Sequence, residues 1–179
     1  MGSIFGYTGG NPRGVILPAP VDWNTDIIEA MFYYGNARMQ FGFGILASFF
    51  TNKEDTLTFQ NAFGNQSGWA DDIEFPTAYG RFALEPDNSF VQFRANGGFN
   101  FNRSTRLTAD VAFGKMKQDD RLLPWTINDI LVVETPVPLE SLNAKIYTTM
   151  VNLRLTSQLA RRLGMRWNYH YDNRDYKTQ

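Results

Sequence analysis

The sequence predicts an all-β protein: an antiparallel, up-and-down transmembrane β-barrel, represented by about six spanning strands. Three observations predict it. Apolar and polar residues alternate with a period of two, which places them on opposite faces of a strand. The alternating runs are about ten residues or slightly longer, the length a tilted strand needs to cross the hydrocarbon of a bilayer. The connections are sorted by length, with tight turns on one side of the strands and long loops on the other.

The pattern is clearest over residues 144–175. Tyr147, Thr149, Val151, Leu153 and Leu155 alternate with Thr148, Met150, Asn152, Arg154 and Thr156. After a turn near residues 158–162, Met165, Trp167, Tyr169 and Tyr171 alternate with Arg166, Asn168, His170 and Asp172. These runs predict strands near 144–157 and 162–172. In chain order, residues 1–22 read as a Gly- and Pro-rich loop. Residues 26–34 form a strand with Ile28, Ala30, Phe32 and Tyr34 on one face, and Gly35-Asn36 makes a tight turn. Residues 38–50 return, with Phe41, Phe43, Ile45 and Phe49 opposite Gln40, Gly42, Gly44 and Ser48.

A long connection over 52–88 follows. Within it residues 56–59 read as a hairpin arm outside the membrane, and 64–72 and 76–85 read as loop. Strands at 89–101 and 105–116 flank the turn Asn102-Arg103-Ser104. A second long connection covers 117–143, with Pro124, Pro136 and Pro138, and residues 173–179 begin another polar loop. Tyr33 and Tyr34, Phe49 and Phe50, and Trp167, Tyr169 and Tyr171 suit interfacial girdles at the ends of the apolar faces.

Composition narrows the function. The 179 residues carry 17 basic and 18 acidic side chains, with no basic stripe to suggest nucleic acid as a partner. No apolar run reaches the roughly 18 residues of a transmembrane helix. There is no Cys, hence no thiolate metal site or haem attachment motif on this chain. Residues 1–14 lack the charged and apolar regions of a signal peptide, so a membrane reading implies a piece of a longer precursor.

Catalytic chemistry finds little support. The single histidine, His170, sits on a polar strand face, where a hydrogen-bonded wall residue is the simplest role. The acidic pairs Asp71-Asp72 and Asp119-Asp120, and Asp172 with Asp175, lie where solvated charge is the default. No serine stands in a nucleophile elbow. The expectation is therefore a non-enzyme with no metal and no cofactor site of its own. What remains is the polar face: Gln40, Gln92, Arg94, Asn96, Asn100, Arg106, Asp110, Asn152, Arg154, Arg166, Asn168 and His170 would line a lumen and contact a solute or an enclosed protein.

Several segments carry a resemblance. Pro20-Val21-Asp22 leads into the first strand, and Ala47-Ser48-Phe49-Phe50-Thr51-Asn52 precedes Leu57-Thr58-Phe59-Gln60-Asn61. Ala83-Leu84-Glu85-Pro86-Asp87-Asn88, Ser104-Thr105-Arg106-Leu107-Thr108 and Gly114-Lys115-Met116 follow. Then come the PLESLNAK segment from Pro138 to Lys145, Asn152-Leu153-Arg154-Leu155-Thr156-Ser157 and Tyr171-Asp172-Asn173-Arg174-Asp175. In this order and spacing the chain resembles the MtrB/PioB family of decahaem-associated outer-membrane barrels.

The resemblance implies a bacterial outer-membrane barrel that sheathes and insulates a periplasmic multihaem cytochrome c held in its lumen. An extracellular multihaem cytochrome often docks outside. Haem c would be carried by the partner, and the barrel would do no redox chemistry. Lumen arginines at 94, 106, 154 and 166 would pair with haem propionates or acidic residues, and the glycines at 42, 44 and 98 would let the partner approach closely. The chain departs from the family in lacking an N-terminal cysteine motif and a terminal strand ending in an aromatic residue, and in having Ala144 where glycine is more frequent. Six strands are also fewer than the eight or so of the smallest closed barrels, so the sequence reads as an internal or truncated portion. Two other readings use the same strands: a diffusion porin or substrate channel, and a soluble β-sandwich that binds through its long loops.

Overall fold

The structure, a computed structural model, describes residues 2–8, 11–60, 79–127 and 133–178. Among them are ten strands and no helix: β1 (Gly2–Thr8), β2 (Asn11–Leu17), β3 (Trp23–Gly35), β4 (Met39–Asn52), β5 (Thr56–Gln60), β6 (Tyr79–Ala83), β7 (Asn88–Asn102), β8 (Thr105–Gln118), β9 (Ala144–Ala160) and β10 (Leu163–Lys177). Six of them form one antiparallel sheet in the order β10-β9-β8-β7-β4-β3. β5 and β6, and β1 and β2, form separate two-stranded sheets. The chain divides into two compact units. One is the six-stranded sheet, built from Thr25–Phe50, Asp87–Asp119 and Asn143–Gln179; the other comprises Met1–Asn24, Thr51–Pro86 and Asp120–Leu142.

Each predicted spanning strand is present, and the three tight turns fall at one end of the sheet. Their chemistry is local. Asn36 Oδ1 accepts from the backbone N–H of Arg38 at 2.8 Å and of Met39 at 2.9 Å, closing an Asx turn between β3 and β4. Asn102 Oδ1 does the same for Ser104 N–H at 2.8 Å between β7 and β8. The β9–β10 turn shrinks to Arg161-Arg162, with Gln158 Nε2 donating to the Ala160 carbonyl at 2.7 Å and a register shift at Leu163/Gly164. The long connections leave from the opposite end.

Register carries the two-faced pattern across the sheet. Phe43 pairs with Ala95, Ala95 with Val111, Val111 with Val151, and Val151 with Tyr171, one apolar row over five strands. The neighbouring row is polar: Gly42, Asn96, Asp110, Asn152, His170. The apolar face stays open. Phe43 is 56% exposed, Phe93 51%, Phe113 54% and Trp167 49%, and the only buried apolar residues among those described are Leu17 and Ala112. A soluble sandwich packs two inner faces against each other to make its core. This sheet instead presents its large side chains outward, as a lipid-facing wall does.

The upper limit of the apolar face runs obliquely to the register. It reaches Phe49 on β4 but only Tyr171 on β10, which is level with Phe43, six positions lower. Strands tilted by 35–45° at about 4.8 Å spacing shift a horizontal boundary by roughly one residue per strand. A net fall of six positions over four inter-strand steps is in keeping with that tilt.

Four expectations are corrected. Residues 1–22 are not wholly loop, because β1 and β2 pair antiparallel from Gly2↔Leu17 to Thr8↔Asn11. The two runs are separated by Gly9-Gly10, a hairpin signal hidden in a Gly- and Pro-rich context. Residues 79–83, read as loop, form β6 and pair with the expected arm β5, with the Phe59 and Phe82 rings stacked at 5.1 Å. Residues 173–177 continue β10 instead of starting a loop. Both faces are polar there, so the alternation that marks a strand disappears while the backbone ladder continues. Of the aromatic pairs, Tyr33 and Phe50 lie on the polar face, opposite in sense to Tyr34 and Phe49. The loop at 64–72 and the Asp71-Asp72 pair lie outside the described residues.

The second unit has its own ties. Lys53 Nζ meets Asp22 Oδ1 at 2.8 Å, and Lys53 N–H donates to the Asp22 carbonyl at 2.9 Å. Asn52, buried, donates from Nδ2 to the Glu85 carbonyl at 3.1 Å and accepts from Glu54 N–H at 3.2 Å. Arg121 bridges to Ser141 through the backbone and pairs with Glu140 at 2.7 Å.

Candidate functional site

The polar face of the six-stranded sheet gathers the residues singled out from the sequence. Rows set by the register run across it. Gln40, Gly98, Thr108, Arg154 and Asn168 form one, and Asn100, Arg106, Thr156 and Arg166 form the next toward the turns. Arg94, Ala112, Met150 and Asp172 lie one row nearer the long connections than the Asn96 row, and Gln92 one further. The eleven positions expected to face a partner, Gln40, Gln92, Arg94, Asn96, Arg106, Asp110, Asn152, Arg154, Arg166, Asn168 and His170, share this face.

Two adjoining grooves open on it. One of about 620 Å³ is lined by Tyr33, Gln40, Asn96, Gly98, Arg106 and Asp110 among others. A second of about 490 Å³ is lined by Asp110, Asn152, Arg154, Arg166, Asn168 and His170. Thr108 and Asp110 border both. Gln92 and Arg94 lie outside these grooves, toward the long-connection end.

Side-chain bonds hold the polar groups in place. Arg106 Nη2 donates to Gln40 Oε1 at 3.3 Å, spanning β8 to β4 across β7. Arg154 Nε donates to Asn168 Oδ1 at 3.0 Å, and His170 Nδ1 bonds Asn152 Oδ1 on the facing strand. Arg94 Nη2 reaches Glu29 Oε1 on β3 at 3.1 Å. The charge balance of the face is positive. Arg94, Arg106, Arg154, Arg166 and Arg174 stand against Glu29, Asp110 and Asp172. Arg106 and Arg154 are positioned by neutral amides, which orient a guanidinium without neutralising it. Arg106 and Arg166 flank Thr156 in one row, with Arg154 one row away. This leaves a cluster of cations on the half of the wall nearest the short turns.

The glycines of this face behave differently from the sequence expectation. The space over each is filled by the chain's own neighbours, so these positions do not open the wall to a partner. A Cβ on Gly42 would stand 2.8 Å from the Tyr33 ring and 2.7 Å from Asn96 Oδ1, and one on Gly98 would stand 2.6 Å from Arg106 Nη2. Met31 covers Gly44, and Phe90 and Thr148 cover Gly114. Glycine beneath a bulky neighbour is a known device for curving a sheet and pinning register. Sequence reading missed Tyr33, Met31 and Phe90 because only the register shows which residue lies beside which glycine. It misses Arg174 because polarity stops marking the strand beyond 172, while β10 itself runs on to Lys177.

No group of three His, Cys, Asp or Glu suited to a metal ion occurs among the described residues. The arrangement is that of a hydrated, cation-rich wall.

Comparison with known proteins places the chain. It is 29% identical over 167 residues to the outer membrane protein MtrB of Shewanella baltica (strain OS185), a match covering 93% of this chain and 22% of that protein. The chain thus spans about a fifth of the length of this relative. The family model for the outer-membrane β-barrel porin MtrB/PioB matches residues 2–179. With the two-faced antiparallel sheet and the sorted connections, this match assigns the wall to the outer membrane, and the chain belongs to the MtrB/PioB family of outer-membrane β-barrel porins.

Proposed function

We propose that this chain forms part of a barrel wall that holds and insulates a multihaem cytochrome c for electron transfer across the outer membrane. The observation that carries the reading is the cluster of Arg106, Arg154 and Arg166 on the polar face, the first two oriented by neutral amides and all three lacking acidic partners among the described residues. Haem propionates and surface carboxylates are the complementary chemistry. In this reading the cytochrome lies inside the lumen, carries all the haem c, and performs the redox steps. The wall is not an enzyme; it excludes lipid from the haem chain and fixes the cytochrome's position. An extracellular multihaem cytochrome would dock at the end bearing the long connections.

The test is extraction of the intact barrel from outer membranes in mild detergent, affinity capture, and a reduced-minus-oxidised visible spectrum. A c-type haem signal in the captured fraction supports the sheath. A folded, haem-free barrel removes it.

A diffusion porin is the second reading, favoured by the family's description as a porin and by the open polar grooves on the face. Steady conductance of the native, cytochrome-replete preparation in planar bilayers would support it. A plugged sheath conducts only after the cytochrome is removed.

A further inference from the structure

The outward face of β4 and β7–β10 is apolar along most of its height, and all its charged residues gather at the long-connection end. Lys117 on β8 pairs directly with Lys145 on β9, and Lys145 pairs directly with Lys177 on β10. Lys115 lies two residues below Lys117 on the same face, with its ammonium 5.8 Å from the centre of the Tyr147 ring. Like charges directly opposed across a ladder destabilise it. Two of the row have local answers: Lys117 meets Asp119 at 2.8 Å and Lys177 meets Asp175 at 3.2 Å. The Lys145 side chain, between them, has no hydrogen bond or ion pair among the described residues. Three lysines abreast therefore leave uncompensated positive charge on a surface otherwise built for lipid.

Depth identifies what answers that charge. On β8 the apolar run ends at Phe113 and Lys115 is the next outward residue, so the lysines begin where the hydrocarbon ends. In an outer-membrane barrel the long connections face the exterior, so this is the headgroup zone of the outer leaflet. From this placement we infer that Lys115, Lys117 and Lys145 form a binding site for the phosphorylated sugar headgroup of an outer-leaflet glycolipid. Lysine ammonium groups are compact, strongly hydrated point charges with three donors each, and they suit phosphate oxygens that approach from several directions. Tyr147, in the same patch, supplies the amphipathic ring that favours this depth. Lys177, held by Asp175 on the far strand, serves as the rim. The site is on the wall's outside and stands whether or not the lumen holds a cytochrome.

The test uses the intact outer-membrane protein in phosphatidylcholine vesicles doped with bis-phosphorylated lipid A, or with the same lipid A stripped of its phosphates. Quenching of a fluorescent lipid A gives relative affinity. Wild type is expected to favour the phosphorylated lipid by on the order of a hundredfold, given the usual gain for each of three lysines near an anionic surface. The variant K115Q/K117Q/K145Q loses that preference. The variant R103Q/R161Q/R162Q, which removes equal charge at the short-turn end, keeps it. Equal affinity of wild type for the two lipids overturns the site, as does a preference that survives the lysine substitutions or falls equally in the turn variant. If the triple variant fails to fold, K145Q alone is measured and is expected to weaken the preference several-fold; an unchanged preference in K145Q, like equal wild-type affinities, contradicts the assignment.

Discussion

The ring of Tyr33 lies over Gly42 on the adjacent strand, close enough that a Cβ at position 42 would stand 2.8 Å from ring Cε1 and 2.9 Å from Cδ1. Asn96 Oδ1 closes the other side at 2.7 Å. Position 42 is glycine because the wall's own side chains occupy the space above it, on the face that also carries the arginine cluster.

Gly42→Ala should therefore destabilise the barrel by about 1–3 kcal/mol, the usual cost of overpacking. Gly97→Ala is its control: Gly97 faces outward, and a Cβ there would find its nearest neighbour, the Gln40 carbonyl oxygen, at 3.4 Å. Denaturant unfolding of the intact protein in detergent, followed by gel mobility, should show a clear shift for position 42 and little for position 97.

The pair Arg94–Glu29 ties β7 to β3 over Gly44, at 3.1 Å. The side chains are 38% and 50% exposed, so solvent screens the pair. A double-mutant cycle with Arg94→Gln and Glu29→Gln should give a coupling of about 0.2–1 kcal/mol, falling as salt is raised. A coupling above about 2 kcal/mol would mean that the site is drier than this geometry allows.

Asn36 and Asn102 each close a short turn through Oδ1. Replacing either by Ala leaves those backbone N–H groups to water and removes a local turn preference. The expected loss is about 0.5–1.5 kcal/mol per site. Slower assembly into the membrane in a pulse-chase experiment would follow from the same cause, since these turns set the register of the hairpins.

How much of this was legible beforehand depends on where the two faces differ in polarity. Residues 38–50 and 89–101 announced themselves because Phe and Ala alternate with Gln, Gly and Asn, and β4 and β7 contain both runs. Beyond Tyr171 the alternation ends because Asn173 and Asp175 are as polar as Arg174 on the other face, yet hydrogen bonding carries β10 on to Lys177. Placing 106, 154 and 166 together on the polar face needed only parity. The roles of Tyr33, Met31 and Phe90 needed the residue-by-residue register, because each covers a glycine on the strand joined to its own by a short turn, and alternation alone does not say which residue stands beside which. The lysine row likewise emerges only when Lys117, Lys145 and Lys177, far apart in sequence, are brought into one register line.

Charge reversal at Arg106, Arg154 and Arg166 together should reduce cytochrome retention on the captured barrel by at least about tenfold, with membrane insertion unchanged. The expectation follows from converting charge-assisted contacts, roughly 1.5–3 kcal/mol each, into repulsions. Haem absorbance per barrel reads retention, and heat-modifiable mobility reads insertion. Unchanged retention would remove these arginines from the contact.

The most direct test of the sheath exploits two neighbouring residues. Asn152 lies on the polar face, paired with Asp110 and His170, while Val151 lies on the apolar face, paired with Val111 and Tyr171. A photo-cross-linking amino acid placed at 152 and, separately, at 151 of the intact protein is irradiated in native membranes, and products are stained for covalently held haem. A cytochrome held against the polar face gives a haem-positive product at 152 and none at 151. No haem-positive product at 152, in a barrel shown to be folded, or equal products at both positions, would contradict it.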